Sequence, residues 1–400
     1  MDDVFVARQP IFSRDLSVYG YELLFRETGG VEEARFVNGD QATSQVILNA
    51  FTVVGLDQLV GRRRAFINLT REFLVGSLRV PFPAERVVLE LLEDLPAEPD
   101  MLEAVERFRA AGYLVSLDDY AGARQQQAFL SRVDIVKVDV AQLDVLRLRT
   151  TVEDLRRYDV RLLAEKVETQ EMFELCRDLG FDYFQGFFLS RPRTVRGSSI
   201  PTSRLPTLNL IARLYQPNVD LRDLEQLISS DVSLSYKLLR YMNSAFFPIH
   251  RRIDSIHQAV VYLGVRELQA WASLLAMASV TDKPSELMTT LMVRARMCQQ
   301  LAERQGYASG NTYFTVGLFS GLDALMDASL DEVLMALPLS NEVVDALLRH
   351  QGKPGQILEC VLHYELGEWG WIEQAGYRPA VVIQSYLDAI DWAREIAARW

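Results

Sequence analysis

Cysteine is scarce in this chain of 400 residues: Cys176, Cys298 and Cys360 are the three present, far apart and each in an apolar, helix-like context. Such spacing supports neither a disulfide framework nor a thiolate metal centre, and buried structural thiols are expected. Positive charge is also short. A net charge of -12 and a pI near 5 argue against a general nucleic-acid binder, because neutralising phosphates requires a basic face. No window approaches eighteen uninterrupted apolar residues, and the opening MDDVFVARQP lacks the charged-then-apolar order of a secretory signal, so no membrane span and a soluble cytoplasmic protein are expected. Low-complexity runs are missing too. With 49% hydrophobic and 24% charged residues, the length suits two or three domains, each burying its own core.

What is present in the first half is a rhythm. Six short apolar stretches close on polar side chains: RAFINLT on Asn68, RVVLELLED on Glu90 and Glu93, YLVSLDDY on Asp118 and Asp119, DIVKVDV on Lys137 and Asp139, RLLAEKVE on Glu165 and Glu168, and FDYFQGFF on Gln185. Between them run segments of helix-period apolar spacing, such as PDMLEAVERFRAAG; the alternation predicts strand-helix-strand units, and a parallel barrel gathers its C-terminal strand ends on one face. Ahead of these, VFVARQPIFSRDLSVYGYELLFRE reads as a two-stranded hairpin turning at SRDLS, with Glu22 and Arg26 on one side of the second strand. That pair alone is equally an ordinary surface ion pair. Residues 40 to 60 have the pattern of an amphipathic helix.

Glu22, Asn68, Glu90, Asp118 and Asp119 form a hard oxygen set of the kind that holds Mg²⁺ or Mn²⁺ rather than zinc or copper. The adjacent Asp118 and Asp119 repel unless a cation lies between them. Lys137 and Glu165 at the next strand ends suit orienting or deprotonating a water, and Gln185 fixing its geometry. Singly, each of these is as readily a helix cap or a solvated loop acid.

Taken together, the first 191 residues resemble the EAL domain family, modified TIM barrels that hydrolyse cyclic di-GMP to a linear dinucleotide. The signature Glu-Ala-Leu with its following Arg is similar to Glu22-Leu23-Leu24-Phe25-Arg26; Asn68, Glu90, Asp118-Asp119, Val136-Lys137-Val138-Asp139, Ala164 to Glu168 and Gln185-Gly186-Phe187 match the remaining motifs. The resemblance implies Glu22, Asn68, Glu90, Asp118 and Asp119 as metal ligands. It also implies Lys137, Glu165 and Gln185 at the attacking water, Arg26 on a substrate phosphate, and Glu93 bracing the loop after Asp119. Cyclic di-GMP would be ligand or substrate, Mg²⁺ or Mn²⁺ the cofactor, and barrels of this kind pair as homodimers.

The departures are as specific. Where the family has Asp-Asp-Phe-Gly-Thr-Gly, this chain has Asp118-Asp119-Tyr120-Ala121-Gly122-Ala123, and the Gly of Ala-Glu-Gly-Val-Glu is Lys166. Alanine strains to reach backbone angles open to glycine. The altered loop and the added cation favour a barrel that binds the nucleotide or works weakly; the alternative is an active metal-dependent phosphodiesterase.

PRTVRGSSIPTSRLP, residues 192 to 206, has the composition of a linker. From 207 to 400 the strand rhythm gives way to helix-period segments, several opening on cap residues such as Asp231 or Ser233 and Ser340. An all-α domain follows from that pattern. It resembles the HDOD family through Asp231-Val232-Ser233-Leu234, Leu238-Leu239-Arg240, Asn243-Ser244-Ala245, Ile253 to Ala259 and Leu263-Gly264. A related metal hydrolase needs a His-Asp pair, and none occurs; Ser320-Gly321 stands where relatives carry one, and His250, His257, His350 and His363 sit singly. The resemblance implies an interaction or output domain with a protein partner. The expected architecture is thus an α/β TIM-barrel-like EAL domain (1 to 191), a linker (192 to 206) and an all-α HDOD domain (207 to 400).

Overall fold

The computed structural model describes residues 4–27, 55–76, 80, 82–92, 95–186, 202–216, 219–243, 253–280, 283–307 and 310–397. Two compact units divide the chain: Met1–Leu189 with Tyr364–Ile383, and Ser190–His363 with Gln384–Trp400.

Eight strands close a barrel in sequence order: β1 (Val4–Ser13), β2 (Val18–Glu27), β3 (Arg64–Leu69), β4 (Val87–Leu91), β5 (Leu114–Leu117), β6 (Ile135–Asp139), β7 (Arg161–Glu165) and β8 (Tyr183–Gln185). From β2 round to β8 neighbours are parallel, while β1 runs antiparallel to both β2 and β8. The hairpin forms where the sequence puts it. Asp15 Oδ1 accepts from the Ser17 amide at 3.2 Å and its hydroxyl at 2.9 Å, and hydrogen bonds from Ser13 and Ser17 pull its carboxyl down to about 2. Of the helix expected over 40 to 60, only Leu56–Val60 lies within the described residues.

Connecting helices follow from their spacing. Pro99 opens the helix Pro99–Ala110, where its missing amide costs nothing. Met101, Ala104, Val105 and Phe108 form the buried stripe at helical spacing. Thr169 caps Gln170–Leu179 through the Met172 amide, and Gly180 ends that helix in the left-handed region at φ 98°.

The barrel floor is apolar. Ile11, Phe66, Val88, Ile135, Leu163 and Tyr183, from six strands, pack together with Tyr19 and Leu114 against them. Gly20 belongs to this layer for a steric reason: a Cβ there would lie 2.8 Å from the Arg64 carbonyl oxygen and 3.0 Å from the Phe66 ring. In the same unit the Tyr364 hydroxyl donates to the Val6 carbonyl at 2.6 Å.

The second unit is helical, as its periodicity requires. Helices include Leu205–Leu214, Leu221–Ser229, Val232–Met242, Ile256–Met277, Ser285–Arg304, Gly310–Phe319 and Asn341–Arg349. Asp231 rather than Ser233 caps the third, accepting from the Leu234 amide at 2.9 Å, and Ser340 caps the last. Ile256–Met277 bends at Gly264, whose φ of 75° and ψ of 174° only glycine adopts readily. Trp271, Phe314 and Trp392 form an aromatic core with centroids 5.7 to 6.3 Å apart. Trp271 thus fills the core as its sequence context implies, whereas Phe246, Phe247 and His250 lie outside the described residues. All three cysteines are buried thiols outside any disulfide, and burial pushes the Cys176 thiol up to about 12. Among the described residues, no helix is long and apolar enough to cross a membrane.

Candidate active site

Side chains two residues apart on a strand share a face, so each strand that contributes to the apolar floor offers its next inward position one layer up. Two residues beyond Phe66, Val88, Ile135, Leu163 and Tyr183 stand Asn68, Glu90, Lys137, Glu165 and Gln185. On antiparallel β1 the order reverses, and Gln9, two residues before Ile11, pairs with Glu22 of β2. Asp118 follows β5 directly, its amide bonded to the Leu91 carbonyl at 2.9 Å. Eight polar side chains, seven on strands and Asp118 directly after β5, therefore crown one apolar layer.

Lys137 is the centre of this crown. Its fully buried Nζ lies 2.8 Å from Asp118, 3.0 Å from Glu90, 3.0 Å from Glu165 and 3.4 Å from Glu22. Burial works against its charge, but the four carboxylates outweigh that and hold its proton well above the usual lysine range. The acids respond unequally. Burial, only partly offset by Lys137, drives Glu90 well above the carboxylate range, and Glu22 and Asp118 add to the rise. Glu165 is pushed up to about 8, by burial first, against Lys137 and with Asp118 and Glu22. Burial also raises Glu22, yet Lys137 together with hydrogen bonds from Gln185 and Asn68 brings it below its ordinary value. Gln185 Nε2 donates to Glu22 at 2.6 Å and to Gln9 at 3.1 Å, and Asn68 Nδ2 reaches Glu22 at 3.4 Å.

Asp118, Asp119 and Glu165 have ligating oxygens within 4.8 Å of one another. Among the described residues this is the one group of acids, thiols or imidazoles close enough to share a cation. Glu90 Oε2, Glu165 Oε2, Asn68 Oδ1 and Gln185 Oε1 are buried and receive no hydrogen bond among the described residues. A surplus of buried oxygen acceptors is costly by itself and matches a hard divalent ion, which needs oxygen ligands. The residues present fit such a cation.

The altered loop is better held than its glycine losses suggest. Asp119 takes the left-handed conformation at φ 40°, which aspartate tolerates, and Gly122 supplies the other positive φ at 79°. Neither Ala121 nor Ala123 does so, and Ala123 has φ -61°. Buried Gln126 clamps the turn: its Oε1 accepts from the Ala121 amide at 2.9 Å and the Ala123 amide at 3.2 Å, while Nε2 donates to the Asp119 carbonyl at 3.1 Å. The expected strain at the two alanines is thus absent because the left-handed residues are Asp119 and Gly122.

Lys166 has a left-handed backbone, φ 55°, and its ammonium sits 2.5 Å from Asp139 Oδ2. That hydrogen bond is the main reason its proton is held above the usual range, with Asp119 and Glu165 adding to it.

Of the residues singled out in the sequence, Glu22, Asn68, Glu90, Asp118, Lys137, Glu165 and Gln185 meet directly, and Asp119 joins Asp118 and Glu165. Arg26 lies on β2, but its side chain, like Glu93, is outside the described residues. Two participants escape the sequence reading. Gln9 is found only by counting back from Ile11 along an antiparallel strand, and Gln126 only once the loop has folded; Asp139, legible as a strand end, gains its partner Lys166 only in the structure.

Residues 56–192 match the EAL domain family and residues 200–336 the HDOD domain family. The chain is 32% identical to YuxH of Bacillus subtilis, with 98% of each chain covered. It is 34% identical to the cyclic di-GMP phosphodiesterase CdgJ of Vibrio cholerae, covering 99% of this chain and 94% of that protein. Among solved structures, an EAL domain protein from Listeria monocytogenes is 20% identical over 48% of this chain and 89% of that chain, with a TM-score of 0.38.

Proposed function

The chain belongs to the family of proteins that join an EAL barrel to a helical HDOD domain, and from that premise we propose that its barrel binds cyclic di-GMP and hydrolyses it slowly to linear pGpG with a divalent cation, Mg²⁺ or Mn²⁺. The supporting observation is the convergence of Asp118, Asp119 and Glu165 beside Lys137, with buried oxygens of Glu90, Asn68 and Gln185 that receive no hydrogen bond among the described residues. In this reading Glu22, Asn68, Glu90, Asp118 and Asp119 hold the cation, which when bound supplies Lewis-acid polarisation of the phosphodiester. Glu165, which holds its own proton up to about 8, would in its carboxylate form take a proton from the attacking water as the water oxygen bonds to phosphorus; the bond from phosphorus to the ribose O3′ breaks, and O3′ takes up a proton from solvent. Lys137 keeps its own proton and holds the acids in register. Gln185 positions Glu22. Arg26 is assigned to a substrate phosphate and Glu93 to support of the loop after Asp119.

In this reading residues 1–191 are the nucleotide module, 192–206 the connection and 207–400 the output domain, which works through contact with a protein partner, although Tyr364–Ile383 groups with the first compact unit. In that domain Ser320 accepts from Arg294 at 2.7 Å and donates to the Gly317 carbonyl at 2.8 Å, a structural rather than a metal-binding role. A receptor that binds without turnover is the second reading. It is favoured by Lys166, whose positive charge interacts with Glu165 and opposes its taking a proton.

The test is turnover of cyclic di-GMP by the full chain in Mg²⁺ and then Mn²⁺, alongside calorimetric binding in Ca²⁺. Several turnovers to the linear dinucleotide support the hydrolytic reading, binding alone selects the receptor, and neither overturns both.

A further inference from the structure

Lys166 combines three observations that a merely structural residue does not need. It occupies a backbone conformation, φ 55°, that L side chains rarely adopt and glycine adopts freely. It is held rigidly there: Glu165 ends β7 on one side, and on the other the Val167 amide donates to the Gln185 carbonyl at 3.0 Å. The approach is so close that a Cβ on Gly186 would lie 2.2 Å from the Val167 carbonyl oxygen. Finally, its side chain is 55% exposed while its ammonium touches Asp139, which is 9% exposed. A strained residue maintained beside reacting groups is a reason to look for a use.

We infer that Lys166 is a substrate-binding residue, its ammonium receiving a phosphate oxygen of the nucleotide at the mouth of the barrel. An ammonium has three donors, and Asp139 takes one at 2.5 Å. With a half-exposed side chain the others are open to a ligand arriving from solvent. Asp139 is itself anchored, accepting from the Ala141 amide at 3.0 Å and from Gln142 Nε2 at 2.8 Å, so the cation is aimed rather than loosely tethered. Its neighbours Asp119 and Glu165 are the acids of the cation site. A phosphodiester seated there meets a positive charge where carboxylates alone would repel it. The inference rests on the proposed reading of the barrel as a cyclic di-GMP site and assigns one further residue to it.

Calorimetry on the full chain distinguishes the two. Cyclic di-GMP is titrated in Ca²⁺ at low and at high salt, and Mn²⁺ is titrated separately without nucleotide. Lys166→Gln should weaken nucleotide binding roughly tenfold, lose most of that difference at high salt because exposed charges are screened, and leave Mn²⁺ affinity equal or higher. Lys166→Arg should retain binding. Lys166→Gly, which relaxes the backbone, should behave as Lys166→Gln and excludes misfolding as the cause. Unchanged nucleotide affinity in Lys166→Gln overturns the inference while leaving the nucleotide site intact, and so does an equal loss of Mn²⁺ binding. Absence of nucleotide binding in the unsubstituted chain overturns both.

Discussion

Replacing Lys137 by methionine removes the cation that touches four carboxylates while keeping the length and apolar stem of the side chain. Its contacts run from 2.8 to 3.4 Å, and at an effective dielectric near 20 each is worth about 5 to 6 kcal/mol of gross attraction. Most of that sum is offset by desolvation and by protonation of Glu90 and Glu165, whose proton affinities are already raised. Breaking a buried pair on one side costs ~3–5 kcal/mol net. For a domain of this size that lowers the melting temperature by on the order of 10 °C. Scanning calorimetry in a metal chelator reads it, and an excess of Mg²⁺ at about 100 times its Kd should return ~2.7 kcal/mol. The pH dependence carries a definite sign. Without Lys137 the folded carboxylates bind protons more tightly than in the unfolded chain, so the penalty is full only above their raised folded values, shrinks as pH falls through them, and is gone below the unfolded carboxylate range. An unaltered melting temperature in chelator at pH 7.5, or a penalty that grows on acidification, would refute the electrostatic account of the crown.

Other outcomes follow from the same geometry. Glu22→Ala should abolish hydrolysis, because it removes a proposed ligand and the acceptor of Gln185 and Asn68; unchanged product formation by chromatography would rule out the site. Gln126→Leu removes three hydrogen bonds to the loop, at ~1 kcal/mol each, so a stability loss of about 1 to 3 kcal/mol and weaker Mn²⁺ binding are expected, and intact Mn²⁺ affinity would show that the clamp does not position Asp119. Since Glu165 keeps its proton to about 8 and a cation beside it favours the carboxylate form, cation affinity should rise by up to roughly tenfold per pH unit below that value and flatten above it. Titrations in buffers of different ionisation enthalpy measure the protons released, and none released between pH 6 and 8 would contradict the assignment. Burial raises the Cys176 thiol to about 12, so it should resist alkylation until the chain unfolds; mass spectrometry of native and denatured samples checks this.

Period-two spacing made the barrel legible: Phe66 and Asn68, Ile135 and Lys137, Leu163 and Glu165 each pair a floor residue with a crown residue on one strand. The crown is readable for the same reason, since its members sit at fixed offsets from apolar runs. Long-range pairings are not. Gln9 reaches Gln185 across 176 residues of chain, and nothing local marks it. The loop after Asp119 shows another limit. Its sequence suggests strain at Ala121 and Ala123, but φ is set by the whole turn, and Gln126 fixes a turn that puts the left-handed positions at Asp119 and Gly122. Lys166 is visible as an odd residue, yet its partner Asp139 emerges only from the register that places Asp139 opposite Glu165.

The two antiparallel ladders of β1 make it the keystone of the ring. Glu22 stands on one flank of that strand and Gln185 on the other, and Gln185 grips Glu22 over the top. A ligand that engages both flanks is therefore also a clasp, and its binding energy adds to the work needed to pry β1 out of place. Amide exchange on β1 should slow when ligand binds, although every ligating group lies elsewhere. Conversely, anything that loosens β1 weakens the site without touching a single acid in it. For any ligand that engages both flanks, occupancy and closure of the ring are one equilibrium.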